Sequence, residues 1–309
     1  MRATFIDTIL GCIVGGALGD AAGAAFEGSP VGSVPLLLDG ANWYLTDDTQ
    51  LTLATCEALT EHGTPEPAQL ASSFLRWFRA RRLTGLGAST LKALNDLDVG
   101  IHWALAGRKG ERAAGNGAAM RIAPLAFCVN PLAEESLRLI REVCRITHHN
   151  DEAYIGAFAV VLAIKATKGG EQSLEWIASQ LPDTSVRDRL LLYATLPAEV
   201  SLAEAARQYG ASGYVVESVP FALFAAQQVG RLGFTGMLEQ VIAVGGDTDT
   251  NASLACQIAG TTLGFGGLPP EVLKHLPQAE LVLRIARSFA ETLANRGAQG
   301  DCGTISCSN

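Results

Sequence analysis

Two short clusters of carboxylate and hydroxyl side chains lie about two hundred residues apart, at residues 46–49 (TDDT) and 247–250 (DTDT). Neither cluster contains histidine or cysteine, so together they offer only oxygen ligands, which suit Mg²⁺, Mn²⁺ or Ca²⁺ better than zinc or copper. Four carboxylates that come together in space repel one another unless a cation lies between them. The two clusters therefore indicate a divalent-cation site built from two distant parts of the chain.

Each cluster can also be purely structural, because each precedes an apolar helical stretch. Thr or Asp before such a stretch is a typical helix N-cap, and acidic residues in a first turn interact favourably with the helix dipole. A helix needs only one cap, however, and residues 46–49 place two adjacent carboxylates between two threonines. In the second cluster, Gly245 and Gly246 permit a tight turn and the close approach of a ligand. Asp247 and Asp249 can then face one ion from the start of the helix.

Two familiar patterns of acidic residues do not fit these clusters. An EF-hand calcium loop has twelve residues and ends in Glu, which the second cluster lacks; there the hydroxyl or carbonyl of Thr250 can complete an oxygen ligand set instead. The DDxxD motif of all-α prenyl-transfer enzymes fails at the first cluster, because Asp48 is followed by Thr49, Gln50 and Leu51. The site is therefore neither an EF-hand nor a prenyl-transfer centre.

Between the clusters lies a stretch of small residues around one Asn, residues 114–121 (AGNGAAMR). Such a loop can expose backbone N–H groups to an anion, and a helix that starts there favours phosphate, although Asn-Gly is also an ordinary turn. Residues 146–150 (ITHHN) place two histidines before another helix start. A histidine at this point can donate to a phosphate or a sugar hydroxyl, or can be structural, and only one of the pair is expected to face a site.

The composition describes an apolar chain of 309 residues, 48% hydrophobic and 17% charged, with a net charge of −8. A broad nucleic-acid surface needs clustered Lys and Arg, so direct nucleic-acid binding is not expected. Residues 76–82 (RWFRARR) are a local exception, which we interpret as a solvated helix face with arginine stems packed along it.

The cysteines and the N-terminus indicate a cytoplasmic protein. The seven cysteines are scattered and form no CxxC pair, which favours reduced thiols. Asp7 interrupts any signal-peptide core, and Asp20 falls where a cleavage region would lie. The longest clean apolar run, around residues 157–164, is far too short for a membrane span, so no membrane association is expected.

The dominant hydrophobic period is helical, which predicts an all-α fold. Helices are predicted after both acidic clusters and near residues 68–82, 133–146, 151–167, 173–180, 187–194, 201–208, 215–230, 236–243 and 279–295. The best strand candidate, residues 34–38, is poor. Five glycines at spacings of three and four (Gly11, Gly15, Gly16, Gly19 and Gly23) lie on a first helix, where each costs about 1 kcal/mol relative to Ala. Close helix–helix approach would offset that cost, so this helix is predicted to be central.

At these residues the chain resembles the ADP-ribosylglycohydrolases, a family that includes dinitrogenase reductase-activating glycohydrolases and ADP-ribosylhydrolases. The matching stretches are residues 16–28, 46–59, 114–126, 146–154 and 244–260. They occur in the order typical of the family, and from first to last they span about four-fifths of the chain. The resemblance implies an all-α fold, a compact orthogonal multi-helix domain around a binuclear Mg²⁺ or Mn²⁺ site. Because no Pro/Ser-rich linker divides the chain, residues 1–296 are predicted to form this one domain, and the terminal residues 297–309 are predicted to be a disordered tail. It implies metal ligands at Thr46, Asp47, Asp48, Asp247, Asp249 and Thr250.

The resemblance also implies the reaction and the substrate-binding residues. The expected reaction is hydrolysis of the glycosidic bond between ADP-ribose and an acceptor, with a protein side chain as the first expectation. Glu27, Asp47, Asp48 and Asp247 would be catalytic, and substrate would be bound by Glu27, Gly115, Asn116, Gly117 and His148. One alternative is a hydrolase of O-acetyl-ADP-ribose or another ADP-ribosyl conjugate. The other is a non-catalytic ADP-ribose-binding protein, which would be expected to have lost some of the metal-ligand residues. The ligand set is intact here.

One departure from the family pattern concerns the acceptor. Some arginine-directed relatives carry an Asp two residues before the Gly-Asn-Gly turn, where this chain has Ala113. Unless Glu111 takes over that role, the departure puts specificity for arginine in doubt, whereas it leaves ADP-ribose binding unaffected.

Overall fold

The computed structural model describes residues 2–27, 43–167, 173–197 and 199–299, and within these ranges the chain is almost entirely helical. The two strands, β1 (Arg108–Lys109) and β2 (His148–His149), have two residues each and pair in parallel. Fourteen α-helices are described: α1 (Arg2–Ala24), α2 (Asp47–His62), α3 (Pro67–Arg79), α4 (Ala88–Asp98), α5 (Glu134–Arg145), α6 (Asp151–Ala166), α7 (Leu174–Ser179), α8 (Ser185–Ala194), α9 (Leu202–Tyr209), α10 (Val215–Gln227), α11 (Val229–Ala243), α12 (Thr248–Leu263), α13 (Pro270–Leu273) and α14 (Ala279–Gln299).

The all-α prediction is confirmed, and the predicted helical segments coincide with α3, α5 to α10, the second half of α11, and α14. Two helices were not predicted. The buried stripe of α4 includes Ser89 and Thr90, so polar residues interrupt the apolar period that sequence reasoning relies on. The other, α13, has only four residues. The strand predicted at residues 34–38 lies outside the described residues.

The pair formed by α1 and α12 is the centre of the fold. An added Cβ at Gly11, Gly19 or Gly23 would overlap a backbone carbonyl oxygen of α12, so the two helices pack backbone against backbone. This contact explains why α1 tolerates glycines that weaken an isolated helix. The predicted close approach is therefore confirmed, and it fixes the C-terminal end of α1 beside the start of α12.

By length and composition, Thr4–Ala24 is apolar enough to cross a membrane, contrary to the expectation that no segment is long enough. Within the domain, however, 78% of its most apolar window is buried, as in the core helix of a folded protein. At the other end of the chain, α14 continues to Gln299, three residues into the predicted tail. Residues 300–309 lie outside the described residues, so the disorder predicted for them stays a prediction.

Candidate active site

The N-termini of α2 and α12 meet at a cavity of about 500 Å³. Further walls come from the C-terminal end of α1, the segment that leads into α4, the turn before the 3-10 helix Asn116–Ala118, and β2. The predicted site residues that line this cavity are Glu27, Asp47, Asp48, Gly115, Asn116, Gly117, His148, Asp247, Asp249 and Thr250. Segments more than two hundred residues apart in sequence therefore share one cavity.

The first acidic cluster is held by a carboxylate that sequence reasoning did not select. Asp20, which is fully buried in α1, accepts hydrogen bonds from the Thr46 hydroxyl at 2.6 Å and from the backbone N–H of Thr49 at 3.1 Å. The Thr46 side chain in turn caps α2 by accepting from the N–H of Asp48 at 3.4 Å. Thr46 is the one predicted site residue that does not line the cavity, because its hydroxyl is turned toward Asp20.

The second acidic cluster follows a turn that only glycine makes easily. Gly245 and Gly246 have φ angles of +76° and +77°, and an added Cβ at Gly246 would overlap the carbonyl oxygen of Ala211. Asp247 is the N-cap residue of α12, and Asn251 one turn later donates to the same Ala211 carbonyl at 2.7 Å. The turn and this hydrogen bond direct the start of α12 at the cavity.

Two hydrogen bonds join the clusters to each other and to the Gly-Asn-Gly loop. The Thr250 hydroxyl donates to Asp48 Oδ2 at 3.1 Å, and Asn116 Nδ2 donates to Asp247 Oδ2 at 2.8 Å. The loop is also anchored through its backbone, since the N–H of Asn116 donates to the Gly213 carbonyl at 3.2 Å. The loop that was predicted to bind an anion therefore lies directly against the second acidic cluster.

His148 is placed by the pairing of β2 with β1 and is 3% exposed. Burial, with smaller contributions from nearby Arg121 and Arg108, lowers its pKa to about 3, so the ring is neutral at physiological pH. An added Cβ on Gly117 would lie 3.2 Å from His148 Nε2, which shows that the ring packs against the loop glycines. His149, the other member of the pair, instead contacts the carbonyl of Ala106 at 2.6 Å. Only one of the two histidines lines the cavity, as expected.

Burial and mutual repulsion raise the pKa values of three of the carboxylates that line the cavity. Burial is the largest cause at Asp47, Asp48 and Asp249, and the charges of neighbouring carboxylates raise the pKa values further. Asp20 has a raised pKa because it is buried. Without a cation the ionised form of these groups is unfavourable, and a bound cation would stabilise it.

The ligand chemistry also fits a cation. Asp48 Oδ1 is buried and has no hydrogen-bond partner, an arrangement that costs free energy unless a further partner is present. Across the described ranges, no group of three or more His, Cys, Asp or Glu side chains is arranged so as to hold a metal ion by itself. An ion here would therefore need threonine oxygens or water as additional ligands, which is the usual situation for Mg²⁺.

Positive charge in the lining of the cavity was missed by sequence reasoning. Arg108 and Arg112 line the cavity together with Ser89 and Thr90 of α4. Guanidinium groups are well suited to phosphate oxygens. In sequence the two arginines lie in an unremarkable polar stretch, and only their place in the fold, in β1 and in the 3-10 helix after it, reveals them. Ala113 beside them is fully buried, and Glu111 is exposed and does not line the cavity.

A model of the ADP-ribosylglycohydrolase family matches residues 1–299. The chain belongs to the ADP-ribosylglycohydrolase family.

Proteins similar to this chain carry related names. It is 27% identical to the ADP-ribosylarginine hydrolase Tri1 of Pseudomonas putida, over 92% of this chain and 78% of that protein. It is 25% identical to the ADP-ribosylhydrolase ARH3 of Gallus gallus, over 91% of this chain and 92% of that protein. A solved structure described as an ADP-ribosylglycohydrolase-related protein complex matches with a TM-score of 0.73 and 26% identity, over 94% of this chain and 99% of that chain. The protein is thus an ADP-ribosylglycohydrolase by family.

Proposed function

We propose that this protein is a divalent-metal-dependent hydrolase that cleaves the glycosidic bond between ADP-ribose and an acceptor. The observation that carries the proposal is the composition of the cavity. Four carboxylates from the starts of α2 and α12 face a glycine-rich loop, a neutral buried histidine and two arginines. The carboxylates suit cations, and the loop and the arginines suit phosphates, which is what a phosphorylated ribose beside a metal centre requires.

The loop and the arginines are assigned to the diphosphate and ribose. Gly115 and Gly117 both line the cavity, and Gly117 lets the loop pack against the His148 ring, since a side chain at Gly117 would collide with that ring. Arg108 and Arg112 bring the positive charge that two phosphate groups need. The side-chain Nδ2 of Asn116 donates to Asp247, which positions the loop. The side-chain Oδ1 of Asn116 is then left to accept from a ligand.

The acidic clusters are assigned to two Mg²⁺ or Mn²⁺ ions, with Asp47, Asp48, Asp247, Asp249, Thr250 and Thr46 as the proposed ligands. Bound there, such ions would supply Lewis-acid polarisation of ribose and leaving-group oxygens. Asp20 holds the first cluster in place through Thr46 and Thr49. The Thr46 hydroxyl donates its hydrogen to Asp20, so Thr46 is proposed to bind an ion through the lone pairs of the same oxygen.

Glu27 is assigned the proton transfer or ribose contact at the reacting centre. It is an exposed carboxylate in the turn that follows α1, on the cavity wall. Cleavage of the bond to C1″ builds positive charge on the ribose, and a carboxylate on that side can hold a ribose hydroxyl or remove a proton from the attacking water. Asp47, Asp48 and Asp247 would assist by orienting the ribose within the site.

A protein side chain is the proposed acceptor, and O-acetyl-ADP-ribose or another small conjugate is the alternative. Among known relatives, Tri1 is named for arginine-linked ADP-ribose. Here Ala113 offers no carboxylate to a guanidinium, and the nearby cavity residues are Arg108 and Arg112. We therefore propose an acceptor without positive charge. A cytoplasmic location remains part of the same proposal.

A hydrolysis panel tests both the reaction and the acceptor. Purified protein with Mg²⁺ or Mn²⁺ is offered arginine-, serine- and cysteine-linked ADP-ribose and O-acetyl-ADP-ribose, and free ADP-ribose is quantified. The proposal expects release from at least one linkage, with the arginine linkage slower than serine or O-acetyl. Tight ADP-ribose binding in calorimetry with no turnover of any conjugate would instead identify a binding protein.

A further inference from the structure

Arg121 is a charged side chain buried in the core without a carboxylate partner. Its residue is 0% exposed, and its guanidinium lies over the Phe74 ring at 4.6 Å. Nε and Nη1 have no hydrogen-bond partner, and no ion pair to this residue exists within the described ranges. Burial lowers its pKa to about 10, so it stays positive at neutral pH. Burying such a charge costs free energy, so we asked which groups its remaining hydrogen bonds hold in place.

Arg121 Nη2 donates to the Val143 carbonyl at 3.3 Å, and its second hydrogen bond leads to His148 through one hydroxyl group. Nη2 of Arg121 lies 2.8 Å from Thr147 Oγ1, and the same oxygen lies 2.7 Å from His148 Nδ1. A guanidinium can only donate, so Thr147 Oγ1 must accept from Arg121. The single hydroxyl hydrogen of Thr147 is then available for His148 Nδ1.

The direction of these bonds determines which ring nitrogen of His148 carries the proton. If Nδ1 were protonated, the Thr147 oxygen would accept two hydrogen bonds, and its own hydrogen would have no acceptor among the described residues. An unsatisfied buried donor costs about 1–3 kcal/mol. With Nδ1 as the acceptor, the Thr147 hydroxyl and Nδ1 are both satisfied, and the proton of the neutral ring lies on Nε2.

We propose that Arg121, acting through Thr147, holds His148 in the Nε2–H tautomer, so that the cavity receives a hydrogen-bond donor directed at an oxygen of the substrate. The Nε2 edge faces the loop, since an added Cβ would lie 3.5 Å from Nε2 at Gly115 and 3.2 Å at Gly117. A phosphate or ribose oxygen of the ligand can accept the hydrogen bond that His148 Nε2 donates. Arg121 and Thr147 are positioning residues that need not touch the substrate. Only the identity of the ligand rests on the proposed function.

Nitrogen-15 NMR of the ligand-free protein, labelled in its histidine rings, tests the tautomer directly. The chain has five histidines, so the His148 signals are assigned by their loss in His148→Gln. The expected spectrum shows a protonated Nε2 and an unprotonated, hydrogen-bonded Nδ1. A protonated Nδ1 in the wild-type protein would overturn the proposal.

Thr147→Val and Thr147→Ser form a matched pair, since Val keeps the shape and Ser keeps the hydroxyl. Thr147→Val is expected to shift the Nδ1 resonance and to weaken ADP-ribose binding about 3- to 10-fold, whereas Thr147→Ser retains the wild-type signal and affinity. Arg121→Met should let the Nδ1–H tautomer become populated, and Arg121→Lys should largely restore Nε2–H.

Identical His148 spectra in the wild-type protein and Thr147→Val would overturn the relay, and an unchanged spectrum in folded Arg121→Met would remove Arg121 from it. If Arg121→Met does not fold, the Thr147 pair still decides. Because the NMR measurement requires neither substrate nor turnover, an intact tautomer with no ADP-ribose release contradicts the proposed function alone.

Discussion

Asp20 Oδ1 accepts a hydrogen bond of 2.6 Å from Thr46 Oγ1, across 26 residues of sequence and between two different helices. The same carboxylate accepts from the N–H groups of Thr46 and Thr49, at 3.1 Å each. The first turn of α2, which carries Asp47 and Asp48, is therefore fixed to α1 by one buried carboxyl group. Because α1 packs backbone to backbone on α12, the same helix also sets the distance between the two acidic clusters.

Asp20→Asn is expected to lower hydrolytic activity about 10- to 100-fold, as for other groups that hold metal ligands in place. The amide N–H₂ group would replace one of the two accepting oxygens and face at least one of the three donors, so the start of α2 would shift while the helical fold persists. Steady-state turnover and circular dichroism measure the two effects. Asp7→Asn is the matched control on the same helix, because Asp7 contacts the N–H of Gly266 and lies away from the cavity. Equal activity of Asp20→Asn and Asp7→Asn would refute this positioning role.

Gly19→Ala is expected to destabilise the fold by about 1–3 kcal/mol or more, because the added methyl group overlaps the carbonyl of Ala252 in α12. The free energy of unfolding, from urea titration, measures the change. Gly230→Ala in α11 is the control: nothing lies within 4 Å of its added Cβ, so this substitution should leave stability equal or slightly higher. Comparable stability of the two variants would contradict the backbone contact between α1 and α12.

The burial of neutral His148 should make the folded protein less stable in mild acid. Burial lowers its folded-state pKa to about 3, below the value of 6.5 for an unperturbed histidine. As the pH falls below 6.5, the unfolded chain takes up a proton that the folded ring refuses, so this group lowers stability progressively until about pH 3. Relative to His148→Gln, the wild-type protein should lose about 1–2 kcal/mol more between pH 7 and pH 5. Parallel pH profiles of the unfolding free energy would show that His148 is not held neutral by burial.

The thermal unfolding of Asp48→Asn tests cation binding without measuring turnover. In the metal-free protein this variant should unfold at a higher temperature than the wild type, because burial and neighbouring carboxylates make the Asp48 charge unfavourable. Mg²⁺ or Mn²⁺ should stabilise the wild type, by binding only its folded state, and stabilise the variant much less. Asp188→Asn, on the exposed face of α8, is the control that should respond to cations as the wild type does. A similar metal-induced shift in Asp48→Asn would contradict the ligand assignment.

Much of this arrangement could be predicted from the sequence because its signals are local. The helical period identifies most of the helices, and the TDDT and GGDTDT motifs and the Gly-Asn-Gly loop are recognisable by residue type. Their resemblance to one family then joins them into a single site. The glycine spacing of α1 similarly predicts close packing, since a near approach of two helices is the simplest way to offset the cost of five glycines in one helix.

The supporting residues could not be predicted because their roles depend on contacts distant in sequence. Asp20 is one acidic residue within an apolar helix, and nothing in its neighbourhood indicates that it caps a different helix. Arg108 lies in β1, which pairs with β2, and Arg112 lies in the short 3-10 helix that follows; both line the cavity only in the folded chain. Arg121 was visible in the sequence only as part of the loop motif, and its link to His148 requires the fold.

Release of ADP-ribose from a conjugate by metal-stripped protein tests the central claim most directly. After EDTA treatment and dialysis, the wild-type protein should be inactive, Mg²⁺ or Mn²⁺ should restore turnover, and Asp247→Ala should stay inactive with either ion while retaining its helical circular dichroism. Turnover that persists without a divalent cation, rescue by zinc alone, or full activity of Asp247→Ala would contradict a hydrolase built on the two acidic clusters.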